Sequence, residues 1–90
     1  MNVPVFDLHC DTAFELLGRN GRKNQLLREN DLHIDLQRAS AFPAYAQCFA
    51  CFTTIGKGSD AVDPTDLFQK ELSNIKSQIH ANSEIGRAHV

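Results

Sequence analysis

Tyr45 to Phe52 reads YAQCFACF, a run with hardly any polar alternation inside Ala44 to Ile55, the most apolar stretch of the chain. A strand patterned this way is expected to be covered on both faces, as in parallel sheets and barrels flanked by helices. It therefore needs neighbouring strands and covering helices, and the rest of the sequence has to be read for them.

Upstream, Pro4 to Asp11 alternates at period two, with Phe6, Leu8 and Cys10 on one side and Asp7, His9 and Asp11 on the other, which predicts a strand. Thr12 to Leu17 suits a short helix, with Asp11 or Thr12 as N-cap and Gly18 as the left-handed residue that ends it. Gly18 to Asp31 is rich in Gly, Asn, Arg and Lys and reads as a mostly exposed connection with Leu26 and Leu27 as its apolar anchor. Asp35 to Ala41 suits a second short helix, stopped by Pro43. After a turn at Gly56 to Ser59, Asp63 and Pro64 supply a capping side chain and a proline at the first helical position. Phe68, Leu72, Ile75 and Ile79 then mark one apolar stripe on a helix from Pro64 to Ala81.

Strand, short helix, loop, strand and long helix in that order begin an alternating β/α architecture. Two strands and one long helix do not close such a fold, and a barrel of eight units takes roughly 200 to 250 residues, against the 90 present. The expectation is a piece of a larger barrel. Glu84 to Val90 reads EIGRAHV, similar to the in-frame translation of a common short-read sequencing adapter. These seven residues are read as non-native, and the natural chain as residues 1–83 with a continuation beyond Ser83.

Composition excludes several classes. The nine Lys and Arg nearly balance the eleven Asp and Glu, for a net charge of −2, which gives no general attraction to nucleic acid or anionic lipid. Arg19, Arg22, Lys23 and Arg28 cluster, but without interleaved aromatics to stack on bases they read as a solvated loop. No apolar run approaches the roughly 20 residues of a membrane span, and Met1 to Cys10 lacks the features of a secretory signal. Three cysteines, Cys10, Cys48 and Cys51, form no paired disulfide set and fit a reducing, cytoplasmic setting.

The chemistry-bearing feature is His9, Cys10, Asp11 at the end of the first strand. Residues at i and i+2 project to one side, so His9 and Asp11 act together while Cys10 points away. Imidazole nitrogen and carboxylate oxygen are both zinc ligands, and the C-terminal end of a barrel strand is where active sites assemble. Taken alone, such a pair is a weak signal and more often marks a hydrogen-bonded strand end than a metal site. Asp7 shares their side, as a partner holding a ligand in place or as an ordinary interior acceptor. Gln47, on the side of Tyr45 and Phe49, is either a polar group near the site or a hydrogen-bonded core amide, the latter favoured. Cys48 and Cys51 lie three apart on a strand, hence on opposite faces, and read as packing residues rather than as a metal or redox pair. His33 and Asp35 repeat the His-x-Asp spacing but read as structural, and His80 falls on the polar side of its helix.

VFDLHCDT (Val5 to Thr12), then HIDLQR (His33 to Arg38), then YAQCFACF together resemble the opening of the membrane dipeptidase (renal dipeptidase-like) family of zinc peptidases, over about Val3 to Ile55. The resemblance implies a TIM-like (β/α)8 barrel of the metal-dependent hydrolase type, here truncated. It also implies two zinc ions bridged by a glutamate and a water or hydroxide, and hydrolysis of dipeptides, often with tolerance of a D-residue at the C-terminal position. His9 and Asp11 match the first two metal ligands, both on one zinc; the remaining ligands belong to later strands and have no counterpart in this chain. No catalytic residue beyond the two ligands is assigned. The implied partner is a dipeptide, with no nucleic acid or membrane, and a homodimer of the full-length form is allowed. This chain alone is expected to be inactive and aggregation-prone. Two alternatives stay open: another barrel enzyme of the amidohydrolase type, such as a deacetylase or cyclic amidase, and a small non-catalytic α/β interaction module.

Overall fold

A computed structural model describes residues 3–18, 23–54 and 63–82. Its elements are β1 (Val5–Cys10), α1 (Thr12–Glu15), α2 (Leu36–Ala39), β2 (Tyr45–Phe49) and α3 (Pro64–Ala81). The strands pair in parallel as a two-stranded sheet, so the chain between them makes a crossover, the connection that a β/α architecture requires. The described elements form this small α/β unit; a barrel is an extrapolation from it.

Each element ends for a local reason. Gly18 adopts φ 69° behind α1, the left-handed conformation that a side chain would disfavour. Asp35 caps α2, its carboxylate accepting from Arg38 N at 2.7 Å. Asp63 caps α3 through Thr65 N at 3.1 Å, and Pro64 occupies the first turn, where its missing N–H costs nothing. The bounds of α3 coincide with the sequence expectation, whereas α1, α2 and β2 are shorter than expected. Arg19, Arg22 and the turn at 56–59 lie outside the described residues, as do Ser83 and the 84–90 segment.

The core joins Ala13, Leu16, Leu27, Leu32 and Ile75, with Leu36, Phe49 and Ile79 packed against it. Among its described residues the connection after Gly18 is mostly exposed, as expected, but its anchor is Leu27 rather than both leucines: Leu27 is fully buried, while its neighbour Leu26 is 62% exposed. One expectation is corrected here. The inward face of α3 is Leu67, Glu71 and Ile75, whereas Phe68 remains 43% exposed. Counting apolar residues selects Phe68; the actual face carries a carboxylate at its centre, which breaks the hydrophobic pattern that the reading relied on.

The 26–38 segment is held by its own polar groups. Asn30 donates from Nδ2 to Leu26 O at 2.9 Å and to Ile34 O at 3.1 Å, and its Oδ1 accepts from Leu32 N at 2.9 Å. The buried Asp35 carboxylate accepts from Asn30 N at 2.9 Å and pairs with Arg38 Nε at 3.1 Å. Asp35 thus serves the loop, as expected for the second His-x-Asp, and His33 is exposed.

The sheet is covered on one side only. Tyr45, Gln47 and Phe49 are half-buried, but Ala46 and Cys48 beside them are exposed, as are Phe6 at 67% and Leu8 at 73% on β1. The two-sided cover expected for β2 is therefore absent among the described residues, because two strands and these helices do not supply a second layer.

Candidate metal-ligand pair at the end of the first strand

The β1–β2 register is interrupted where the chemistry sits. Asp7 is opposite Gln47 and Cys10 is opposite Phe49, so Leu8 and His9 on β1 face Cys48 alone on β2. Such a bulge re-aims a side chain and frees a backbone group from the ladder. The His9 N–H is taken up by Asp7 Oδ1 at 3.3 Å.

Beyond the bulge, Asp11 occupies the N-cap position of α1 at φ −101°, ψ 16°, outside the extended conformation usual for that position, and its side chain makes no capping bond. Its carboxylate turns instead to His9, with Nε2 to Oδ1 at 3.2 Å. Both side chains are open to solvent, at 67% and 52% exposure, so a ligand has access without rearrangement. Cys10 between them is buried, its thiol pushed above its ordinary pKa by burial, and its carbonyl accepts from Ala50 N at 3.0 Å.

The spacing of the pair suits a metal. Two ligands at about 2.0 to 2.2 Å from a tetrahedral zinc lie about 3.3 to 3.6 Å apart, and the observed 3.2 Å reaches that with a shift of a few tenths of an ångström. The same separation is a hydrogen bond. Two ligands make half of a tetrahedral shell, and among the described residues no group of three or more His, Cys, Asp or Glu is placed to hold a metal ion.

The sequence reading placed Asp7 near the pair, and the structure puts its carboxylate against the His9 main chain rather than the ring. Asp7 Oδ2 also accepts from Gln47 Nε2 at 2.9 Å across the sheet. The Gln47 amide, with the His9 N–H second, holds the Asp7 carboxyl below its ordinary pKa. Gln47, favoured from sequence as a hydrogen-bonded core amide, is hydrogen-bonded and half-buried, and its partner is the residue beside the pair; its Oε1 accepts from the Tyr45 hydroxyl. Burial first and the Asp7 charge second push the Tyr45 phenol above its usual range, which keeps it a donor. The signal for this chain was the period-two spacing of Tyr45 and Gln47; what sequence could not supply was the register that sets Gln47 opposite Asp7.

Cys48 is exposed, Cys51 half-buried, and all three cysteines are free. Two open grooves run along α3, one past Asp66, Lys70 and Ser73 and the other past Leu72 and Lys76; neither includes His9 or Asp11. Among the described residues no helix is long and apolar enough to cross a membrane. No protein-family model, curated protein or solved structure matches this chain.

Proposed function

We propose that this chain is the N-terminal part of a zinc-dependent dipeptidase built on a (β/α)8 barrel, with His9 and Asp11 as two ligands of one metal ion. The observation that carries the reading is the His9 Nε2 to Asp11 Oδ1 separation of 3.2 Å, open to solvent at the end of a strand in a parallel pair. The uncovered apolar residues Phe6 and Leu8 support the larger architecture, since further strands and helices would bury them.

His9 would bind through Nε2 and Asp11 through Oδ1, the atoms that already face each other. When bound, the metal supplies a Lewis acid for the scissile carbonyl and lowers the pKa of water toward neutrality. Asp7 fixes the main chain at His9, so the imidazole is presented from a defined backbone. Cys10, whose side chain is buried, stays out of the ligand set. The remaining ligands and the dipeptide-binding groups would come from later strands, and the three free cysteines suit a reducing, cytoplasmic setting.

The test is metal content and dipeptide hydrolysis of the full-length protein, extended past Ser83, with His9→Ala and Asp11→Ala variants. Bound zinc and hydrolysis in the parent, both lost in each variant, support the proposal. Bound metal with hydrolysis of an acetylated amine or cyclic amide, but not of dipeptides, would move the assignment within barrel hydrolases. A folded parent without metal would leave His9 and Asp11 as a hydrogen-bonded strand end in an interaction module.

A further inference from the structure

A second strand reaches the candidate ligand pair through a chain of hydrogen bonds that uses every polar group of one amide. Gln47 Nε2 donates to Asp7 Oδ2 at 2.9 Å and to Cys48 O at 3.1 Å, while its Oε1 accepts from the Tyr45 hydroxyl. This arrangement works in one orientation only. Rotating the amide by half a turn would aim Oε1 at the Asp7 carboxylate and at the Cys48 carbonyl, two acceptors without a proton between them. The Tyr45 ring is in turn seated against Phe42, centroids 5.8 Å apart.

At the other end of the chain, Asp7 Oδ1 holds the His9 N–H at 3.3 Å, inside the register shift between Asp7 and Cys10. A bulged backbone has lost part of its pairing, so its conformation depends on whatever bonds replace the ladder. One such bond here is to a carboxylate, that of Asp7. That carboxylate has two oxygens with two tasks: one meets His9, and the other is fixed by Gln47 from the neighbouring strand.

We infer that Gln47 and Tyr45 are positioning residues for the metal-ligand pair, acting through Asp7 to hold the His9 backbone in its bulged conformation. The inference rests on the metal reading of His9 and Asp11. Neither residue touches the metal or substrate in this arrangement. Their effect is on the geometry and affinity with which His9 presents Nε2, the usual consequence of a hydrogen-bonded partner behind a ligand.

The experiment titrates full-length protein, stripped of metal, with Co2+ alone and follows both the dissociation constant and the visible d–d spectrum, with circular dichroism to establish folding. Gln47→Leu, which removes the cross-strand donor at similar volume, should weaken Co2+ about ten- to a hundredfold and alter the band shape. Tyr45→Phe should weaken it in the same direction by a smaller factor. The decisive variant is the exchanged pair Gln47→Glu with Asp7→Asn, which conserves net charge. Its introduced carboxamide can still accept from His9 N–H and can donate back across the sheet to the introduced carboxylate, so affinity and spectrum should improve clearly on those of Gln47→Glu alone; they should stay short of the parent, because the carboxylate at 47 has no proton to give the Cys48 carbonyl, and Gln47→Glu alone, placing two carboxylates together, should bind worst. A parent that binds Co2+ while folded Gln47→Leu and Tyr45→Phe keep its affinity and spectrum overturns the positioning role and leaves the metal pair standing. Failure of the exchanged pair to improve on Gln47→Glu alone also overturns it. A parent that binds no Co2+ overturns the metal reading and the positioning role together.

Discussion

Arg28 Nε donates to Asn82 Oδ1 at 2.7 Å across 54 positions of sequence. One residue earlier, Leu27 N donates to the side chain of Gln78 at 3.1 Å, and Asn82 Nδ2 closes on Gln78 O at 2.7 Å. Two consecutive residues of the first connection are thereby bonded to the last turn of α3. This is why a segment with little apolar content places Leu27 in the core: the polar groups set the backbone, and the single side chain that can point inward fills the space beside Leu16 and Ile75.

The Asn82→Ala variant should lose about 1 to 3 kcal/mol of stability, because Asn82 is buried and its removal leaves Arg28 without this charge-assisted bond. Urea unfolding of the variant against the parent measures it. An unchanged midpoint would mean that the loop is not docked on α3 in solution.

Leu26 and Leu27 offer a sharper contrast, being adjacent and chemically identical. Leu27→Ala empties a fully buried position and should cost about 2 to 5 kcal/mol. Leu26→Ala acts at a largely exposed one and should stay within about 0.5 kcal/mol. Paired urea midpoints decide the matter, and equal losses would contradict the packing described.

What could be read from sequence follows from which interactions have a local signature. The start and span of α3 were legible because Asp63 and Pro64 are cap and first-turn residues whatever the tertiary context. The turn-ending role of Gly18 was legible for a similar reason, and so was the meeting of His9 with Asp11, although a bulge and an irregular N-cap bring it about rather than a regular strand. The inward face of α3 was not legible, since Glu71 lies between Leu67 and Ile75 on it and Phe68 lies off it. Nor was the bond from Gln47 to Asp7, which spans 40 positions and depends on register alone.

Acid should destabilise the chain through Asp35. Burial pushes its carboxyl up, but the N–H groups of Asn30 and Arg38 and the Arg38 guanidinium outweigh that and leave it below its ordinary value. A carboxyl titrating lower in the folded than in the unfolded chain adds stability that is fully present above the unfolded value, about 3.9, and is lost as pH falls through the folded one. Urea midpoints between pH 6 and pH 2 should therefore fall more steeply for the parent than for Asp35→Asn, the two curves converging in acid. Parallel curves would show that Asp35 is not held as described.

The three cysteines should separate by reactivity. Cys48 is exposed on β2, Cys51 is half-buried, and Cys10 is buried against the sheet. Burial raises the thiol of Cys10, and burial with the nearby Glu71 charge raises that of Cys51, which lowers the thiolate fraction available for alkylation. Iodoacetamide under native conditions should label Cys48 first, Cys51 next and Cys10 last, with Cys10 slower than Cys48 by roughly tenfold or more, since its reaction waits for local opening. Peptide mass mapping over time reads the order, and in guanidinium the three rates should converge. Native labelling of Cys10 as fast as Cys48 would mean that β1 does not stay paired with β2, and the bulge that presents His9 would not persist either.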